Sequence, residues 1–203
     1  MTCLVAVAAP IGGGKSALVK GLAKALDGAS TIHFDDYEVA TQKSPAELAR
    51  WIADGAEFNS LRAPGFAEAL RALKRGESVA DPGSGEPVRP GEFVVLEMPL
   101  GRAYAATAEL IDILVWVNTP LDVALARNIR AMAAEAATPD DAQDFLRWLD
   151  AYLGQYLDQL RTILQLQKIR VAPAADIVLD GLQAPEYLVA EALRAIAIRR
   201  APD

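Results

Sequence analysis

One cysteine, one histidine and the absence of any long apolar run limit what this 203-residue chain can do. With Cys3 alone, no disulfide can close within the chain, and a reducing, cytoplasmic setting is the expectation. With His33 as the single imidazole, a histidine-based metal cluster is excluded, and a Ser-His-Asp triad would have to use that residue. No stretch approaches the length of a bilayer span, and no basic region precedes the short apolar stretch at the N-terminus, so neither a membrane partner nor a leader is expected. Basic residues are also short: 20 Lys and Arg stand against 27 Asp and Glu, for a net charge of -7. That balance argues against a nucleic-acid partner, which would want a basic face. Aromatics make up only 6%, and the abundance of Ala in their place suggests many close-packed helices. At 52% apolar and 23% charged the chain reads as an ordinary soluble globular protein. Its length suits one well-buried domain over 1–203, as a monomer or homodimer, with at most an appended lid.

Short apolar runs alternate with longer segments of 3.6-residue period, the pattern of βα units feeding a parallel sheet. Strands are expected near 3–8, 30–34, 78–80, 93–97, 112–117 and 176–180. Three helix starts stand out: Ser44-Pro45, Thr119-Pro120 and Thr138-Pro139 each combine an N-cap hydroxyl with Pro at the first helical position, and Glu47, Asp122 and Asp141 follow at the third. Gly76 and Gly28 mark helix ends. Phe145, Leu149, Tyr152, Tyr156, Leu160 and Ile163 recur every three or four residues, predicting a single amphipathic helix over about 139–169. The turn-rich segment Asp81 to Gly91 reads as either a substrate-side hairpin or a surface loop. Together these features predict an α/β fold with a central parallel sheet of about five strands flanked by helices. A small lid is expected at about 120–140 and a substrate-side excursion at about 45–91.

Ala9-Pro10-Ile11-Gly12-Gly13-Gly14-Lys15-Ser16 follows the first strand and precedes a helical pattern, which is the setting a phosphate-binding loop requires. Backbone N–H groups that surround a polyphosphate need neighbours without bulky side chains, a Lys that reaches the β- and γ-phosphates, and a hydroxyl for Mg²⁺. Pro10, Ile11, Gly12, Gly13, Gly14, Lys15, Ser16 and Ala17 are therefore the candidate nucleotide contacts. The pattern G-x-x-x-x-G-K-[ST] puts Gly where this chain has Ala9. Alanine fits there if φ stays below zero and is strained if the position is left-handed.

Carboxylates at strand ends share a rim with such a loop, because ligands of open parallel sheets sit beyond the carboxyl ends of the strands. Phosphoryl transfer to a hydroxyl needs a group that takes its proton and holds the oxygen in line, and Asp35 in Ile32-His33-Phe34-Asp35-Asp36-Tyr37 is the candidate. Asp36 is the alternative base or an orienting group, and either Asp can instead cap a turn. Glu97, closing the apolar run Phe93 to Leu96, is a second metal-side carboxylate, or else a structural partner of Lys15 or of the following turn. Ser16, Glu97 and Asp35 are thus the candidate Mg²⁺ residues. Arg127 and Arg130, three apart and on one helix side, read as phosphate clamps or as a solvated pair. Tyr37, Trp51, Asp54 and Arg62, with Asp36, are candidate acceptor contacts, although Trp51 reads equally as a core residue of a 45–53 helix.

These segments together resemble the uridine kinase and nicotinamide riboside kinase branch of the P-loop kinases. The loop at 9–16 matches apart from Ala9, Ile32 to Tyr37 is similar to the strand-end Asp motif whose aspartate serves as base, and Val94 to Glu97 resembles the acidic strand. Asp112 to Arg127 and Ala174 to Gly181 are similar to the strand before the arginine helix and to the closing strand with its Gly. The arginine cluster is thinner than in that family, with Asn128 and Ala131 between and beside Arg127 and Arg130. The resemblance implies a P-loop NTPase fold, ATP and Mg²⁺ as cofactors, and a small-molecule hydroxyl acceptor such as a nucleoside. Three alternatives stand beside it: a nucleoside monophosphate or deoxynucleoside kinase, a nucleotide-binding accessory ATPase or switch, and a binding module that does not transfer. Asn118-Thr119-Pro120-Leu121 is not the Asn-Lys-x-Asp segment that a guanine-dependent switch would carry.

Overall fold

Six apolar residues in succession can be buried completely only in a strand covered on both faces, and Cys3–Ala8 (β1) occupies such a place. The structure is a computed structural model that describes residues 2–39, 45–135 and 142–200. In chain order the strands are β1, β2 (Ser30–His33), β3 (Val79–Ala80), β4 (Pro87–Val88), β5 (Phe93–Glu97), β6 (Ile113–Asn118) and β7 (Ile177–Asp180). The central sheet runs β2-β5-β1-β6-β7, and all of its pairings are parallel. Strand order reverses around β1, so the loop that leaves β1 opens at the crevice where such sheets bind ligands.

Side-chain alternation along β1 splits the interior into two layers. Leu4, Ala6 and Ala8 join Val94, Leu96, Leu114, Trp116 and the aromatic group Phe34, Phe58 and Phe66 on one face. Val5 and Val7 join Val95, Val115 and Val117 on the other. That second face is covered by helices α1 (Lys15–Ala25) and α8 (Pro185–Arg200), through Leu18, Val19 and Leu22 from one and Leu188, Ala192 and Ile196 from the other. The remaining helices are α2 (Pro45–Ala53), α3 (Phe66–Lys74), α4 (Ala105–Ala108), α5 (Leu121–Glu135), α6 (Ala142–Gln155) and α7 (Arg161–Val171).

Three local features differ from the pattern read in the sequence. The 78–80 strand forms, but it pairs antiparallel with β4 in a separate hairpin and never enters the central sheet. That hairpin carries the turn-rich segment, with Asp81 N–H donating to Glu86 O and Gly85 N–H to Asp81 O. The long helix expected over 139–169 is interrupted by a π segment at Tyr156–Leu160, whose wider turn carries the buried face on to Leu164, Gln167 and Val171. Thr119 does not cap α5. The helix begins at Leu121 with Pro120 O as its first acceptor, while Thr119 Oγ1 donates to Gly13 O at 2.8 Å inside the protein. Glu47 and Asp122 do stand in the first turns of α2 and α5. The hydroxyl expected at Ser44 and the third start at Thr138-Pro139 lie outside the described residues.

Beside the crevice, α7 fixes two neighbouring segments. Gln167 Nε2 donates to Ala9 O at 3.1 Å and to Pro99 O at 2.8 Å, tying the start of the loop to the turn after β5. Arg170 donates to Ala56 O at 2.6 Å and Gly55 O at 2.7 Å and lies over the Phe58 ring, so it holds the chain leaving α2.

Candidate functional site

The loop between β1 and α1 is shaped by close backbone approach. Gly12 sits at φ 74, and a Cβ there would lie 2.1 Å from Ala124 O on α5. Only glycine meets both demands. Gly14, at φ 97, is the residue before the first turn of α1, where free N–H groups and the positive end of the helix dipole favour an anion. Ala9 is buried and is not among the left-handed residues, so the alanine fits where the loop pattern has Gly. Replacing Gly12 with Ala is expected to displace the loop from α5 and to lower stability by about 1–3 kcal/mol. Urea unfolding measures the loss, and an unchanged midpoint would mean that the loop is not pressed against Ala124.

Polar groups from three elements meet at Glu97. Lys15 Nζ donates to Glu97 Oε1, Ser16 Oγ donates to the same oxygen at 3.0 Å, and His33 Nδ1 lies 3.3 Å from Oε2. Burial pushes the Glu97 carboxyl up, but hydrogen bonds from His33 and Lys15, the Lys15 charge and the Ser16 bond outweigh it and hold the pKa at about 2. The hydrogen bond to Glu97 raises His33 against the opposing effect of its own burial. Of the alternatives for Glu97, the pairing with Lys15 is therefore present, with the hydroxyl of Ser16 on the same oxygen.

A lowered folded-state pKa stabilises the protein above the unfolded-state value, and the benefit fades as pH falls towards the folded-state value. For Glu97 the window runs from the ordinary 4.5 down to about 2. The contribution at neutral pH is on the order of 3 kcal/mol at most. Glu97→Gln should accordingly flatten the acid limb of the stability curve between these values, as read by urea midpoints at successive pH. An acid limb identical to wild type would show that Glu97 is not held in this network.

A cavity of about 660 Å³ opens above this network, lined by Pro10 to Leu18 from the loop and α1, by Asp35, by Arg127, Asn128 and Ala131 of α5, and by Gln183, Pro185 and Leu188. Such a volume is that of a small-molecule or cofactor site. Asp35 and Lys15 thus face one space. Asp36 is exposed as well but is not part of that lining; its carboxylate meets the hairpin turn, where a Cβ at Gly83 would fall 3.0 Å from Asp36 Oδ1. Burial and the nearby Asp81 charge raise the Asp36 carboxyl above its usual range. Tyr37 is buried against Phe66, with ring centroids 5.1 Å apart.

Of the other expected contacts, Arg127 alone reaches the cavity wall. Arg127 lines it, with Nη1 donating to Gly181 O at 2.8 Å, whereas Arg130 is exposed and does not. Trp51 Nε1 donates to Ser60 Oγ at 2.9 Å and to Glu57 O at 3.2 Å, and its ring stacks on Phe58, so the indole is engaged in holding α2 to the following turn. Asp54 and Arg62 are exposed. The sequence did not single out Gln167, Gln183, Pro185 or Leu188, and it marked Thr119 only as a helix cap. Only Pro185, at a helix start four residues beyond Gly181, carried a readable signal.

Solved structures share this arrangement of sheet, loop and helices. A gluconokinase from Sinorhizobium meliloti 1021 is 17% identical, with 97% of this chain and 93% of that one covered and a TM-score of 0.53. A protein from Bacillus stearothermophilus described as a possible uridine kinase is 15% identical, with 88% and 89% covered and a TM-score of 0.55. The fold is that of the P-loop kinases. Shikimate kinase from Acinetobacter baumannii, in complex with shikimate, is 16% identical, with 100% and 97% covered and a TM-score of 0.52. No protein-family model matches the sequence, and no curated protein is detectably similar to it. Among the described residues no helix is long and apolar enough to cross a membrane.

Proposed function

We propose that this chain is an ATP- and Mg²⁺-dependent phosphotransferase acting on a hydroxyl of a small metabolite, with a nucleoside or related ribose-bearing compound as the expected acceptor. The observation that carries the proposal is the single cavity lined both by the loop from Pro10 to Ala17 and by Asp35. The residues fit the cofactors. The free N–H groups ahead of α1 suit a polyphosphate, and the hydroxyl of Ser16 beside Glu97 suits Mg²⁺, which takes few protein oxygens alongside phosphate and water. When bound, ATP supplies the phosphoryl group and Mg²⁺ the neutralising charge.

Each side chain then has a defined task. Lys15, held by Glu97 at the cavity floor, is placed to exchange that carboxylate for phosphate oxygens. Glu97 keeps hydrogen bonds from Ser16 and His33 when Lys15 leaves, so its charge stays partly compensated. Asp35 accepts the proton of the acceptor hydroxyl and aligns its oxygen, the role favoured over Asp36 because Asp35 lines the cavity while the Asp36 carboxylate meets the hairpin turn. Arg127, on the opposite wall, contributes positive charge there. In support, the structural neighbours named for gluconate, uridine and shikimate are named for compounds with free hydroxyls.

The test is a screen of nucleosides, sugars, sugar acids and nucleoside monophosphates with γ-labelled ATP. Transfer of label to a hydroxyl compound is the expected result. Tight ATP binding with no labelled product from any acceptor would instead indicate a binding module.

A further inference from the structure

Gly12, Gly13 and Gly14 leave two peptides of the loop with no Cβ on either side, and such peptides rotate with little steric resistance. The first is held locally, because Gly13 N–H donates to Pro10 O at 2.8 Å. The second is held from a distant part of the chain: Gly13 O accepts from the hydroxyl of buried Thr119 at 2.8 Å. A trans peptide points its C=O and its N–H in opposite directions, and no peptide here is cis. Gly13 and Gly14 line the cavity, whereas Thr119 does not. With Gly13 O drawn to Thr119, the Gly14 N–H is turned to the cavity side, and among the described residues it has no hydrogen-bond partner. Thr119 has little freedom to do otherwise. A Cβ at Gly181 would fall 1.9 Å from Thr119 Oγ1 and 2.8 Å from its Cβ, so the backbone after β7 presses directly on this side chain. Gly181 is itself held, its N–H donating to Asn118 O at 3.3 Å and its O accepting from Arg127 at 2.8 Å.

We infer that Thr119 is a positioning residue for the phosphates: its hydroxyl sets the Gly13–Gly14 peptide so that the N–H, and not the C=O, faces the anion. The inference rests on the phosphotransferase reading above, which supplies that anion. Thr119 acts only through the peptide it orients. Without the hydroxyl, Gly13 O becomes a buried acceptor with no partner, a state that costs more than rotating the peptide to put this oxygen in the water of the cavity. The rotated loop then presents a carbonyl dipole to the phosphates where it had presented a donor. One favourable contact is lost and one repulsive contact takes its place.

Isothermal titration of the full chain with Mg²⁺ and either ATP or inorganic tripolyphosphate tests the inference without knowledge of the acceptor. Thr119→Ala and Thr119→Ser both lose the methyl group and differ only in the hydroxyl. Thr119→Ala should weaken both ligands by a similar factor, about 10- to 100-fold, as loss of a hydrogen bond to a charged group implies. Thr119→Ser keeps the donor and should stay within about twofold of the wild type. Equal losses in the two variants would assign the effect to packing, and a loss for ATP without one for tripolyphosphate would place it away from the phosphates. Either result, or unchanged affinities in Thr119→Ala, would overturn the positioning role alone. A measurement on the wild type covers the case in which Thr119→Ala does not fold. Hydrogen exchange at Gly14 N–H should be fast in the free chain and slowed by saturating tripolyphosphate, and an amide already protected without ligand would overturn the inference. Binding of neither ligand to the wild type would instead overturn the phosphotransferase reading beneath it.

Discussion

Asp35→Asn is expected to lower the turnover number for phosphoryl transfer by about 10²- to 10⁴-fold, the range for loss of a positioned general base. Nucleotide affinity should stay within about twofold, because the loop carries the phosphate contacts and asparagine keeps the size of the side chain. The split follows from placement. Asp35 stands in the short 3₁₀ turn Phe34–Asp36 directly after β2, and of that turn only Phe34 is buried, packing edge-on against Phe66 and Tyr104. Changing the exposed carboxylate should therefore leave the fold alone. Steady-state kinetics with an acceptor found by the label screen, paired with ATP titration of the same variant, separates the two effects. Equal loss of binding and turnover would show that Asp35 supports the fold and does not act on the acceptor. Asp36→Asn is the internal control, with a smaller rate effect expected, since that carboxylate meets the hairpin at Gly83 and is not part of the cavity lining.

Lys15→Met should cost about 10²- to 10³-fold in turnover and weaken nucleotide binding with it, because a cation aimed at the developing phosphate charge is lost. A second consequence comes from the resting state. Lys15 and Glu97 are only 13% and 10% exposed, so the substitution strands a carboxylate whose other partners are Ser16 and His33. A loss of about 1–3 kcal/mol in urea unfolding follows. Adding Glu97→Gln to Lys15→Met should recover part of that stability while leaving activity low. Additive stability losses would contradict coupling between these two residues.

Much of the scaffold was legible because it is written in local pattern. The apolar runs at β1, β5 and β6, the closing strand β7 and the helix stop at Gly76 all lie where periodicity and punctuation put them. The loop ahead of α1 was readable for the same reason, as its glycines, lysine and serine are consecutive. What stayed hidden depends on contacts far apart in sequence. Thr119 looks like a helix cap until Gly13 O, 106 residues away, claims its hydroxyl. Gln167 is one more polar residue on a helix until it is found donating to Ala9 O, 158 residues away. The π segment leaves no mark in a 3.6-residue period. Asp35 and Asp36 are adjacent and identical in type, so only their surroundings, the cavity for one and the hairpin turn for the other, tell the two apart. Trp51 looked available for stacking on a ligand, but its partners at Phe58 and Ser60 come from a turn with no periodic signal.

The central claim is that the loop ahead of α1 and Asp35 bound one reaction space. A crystal structure of the full chain with Mg²⁺ and a non-hydrolysable ATP analogue tests it most directly. The expected result is a triphosphate lying along Gly12 to Ser16, with Lys15 released from Glu97 to the phosphates and Asp35 facing the terminal phosphate across the acceptor space. A nucleotide seated elsewhere, or a terminal phosphate turned away from Asp35 with Lys15 still on Glu97, would contradict the account.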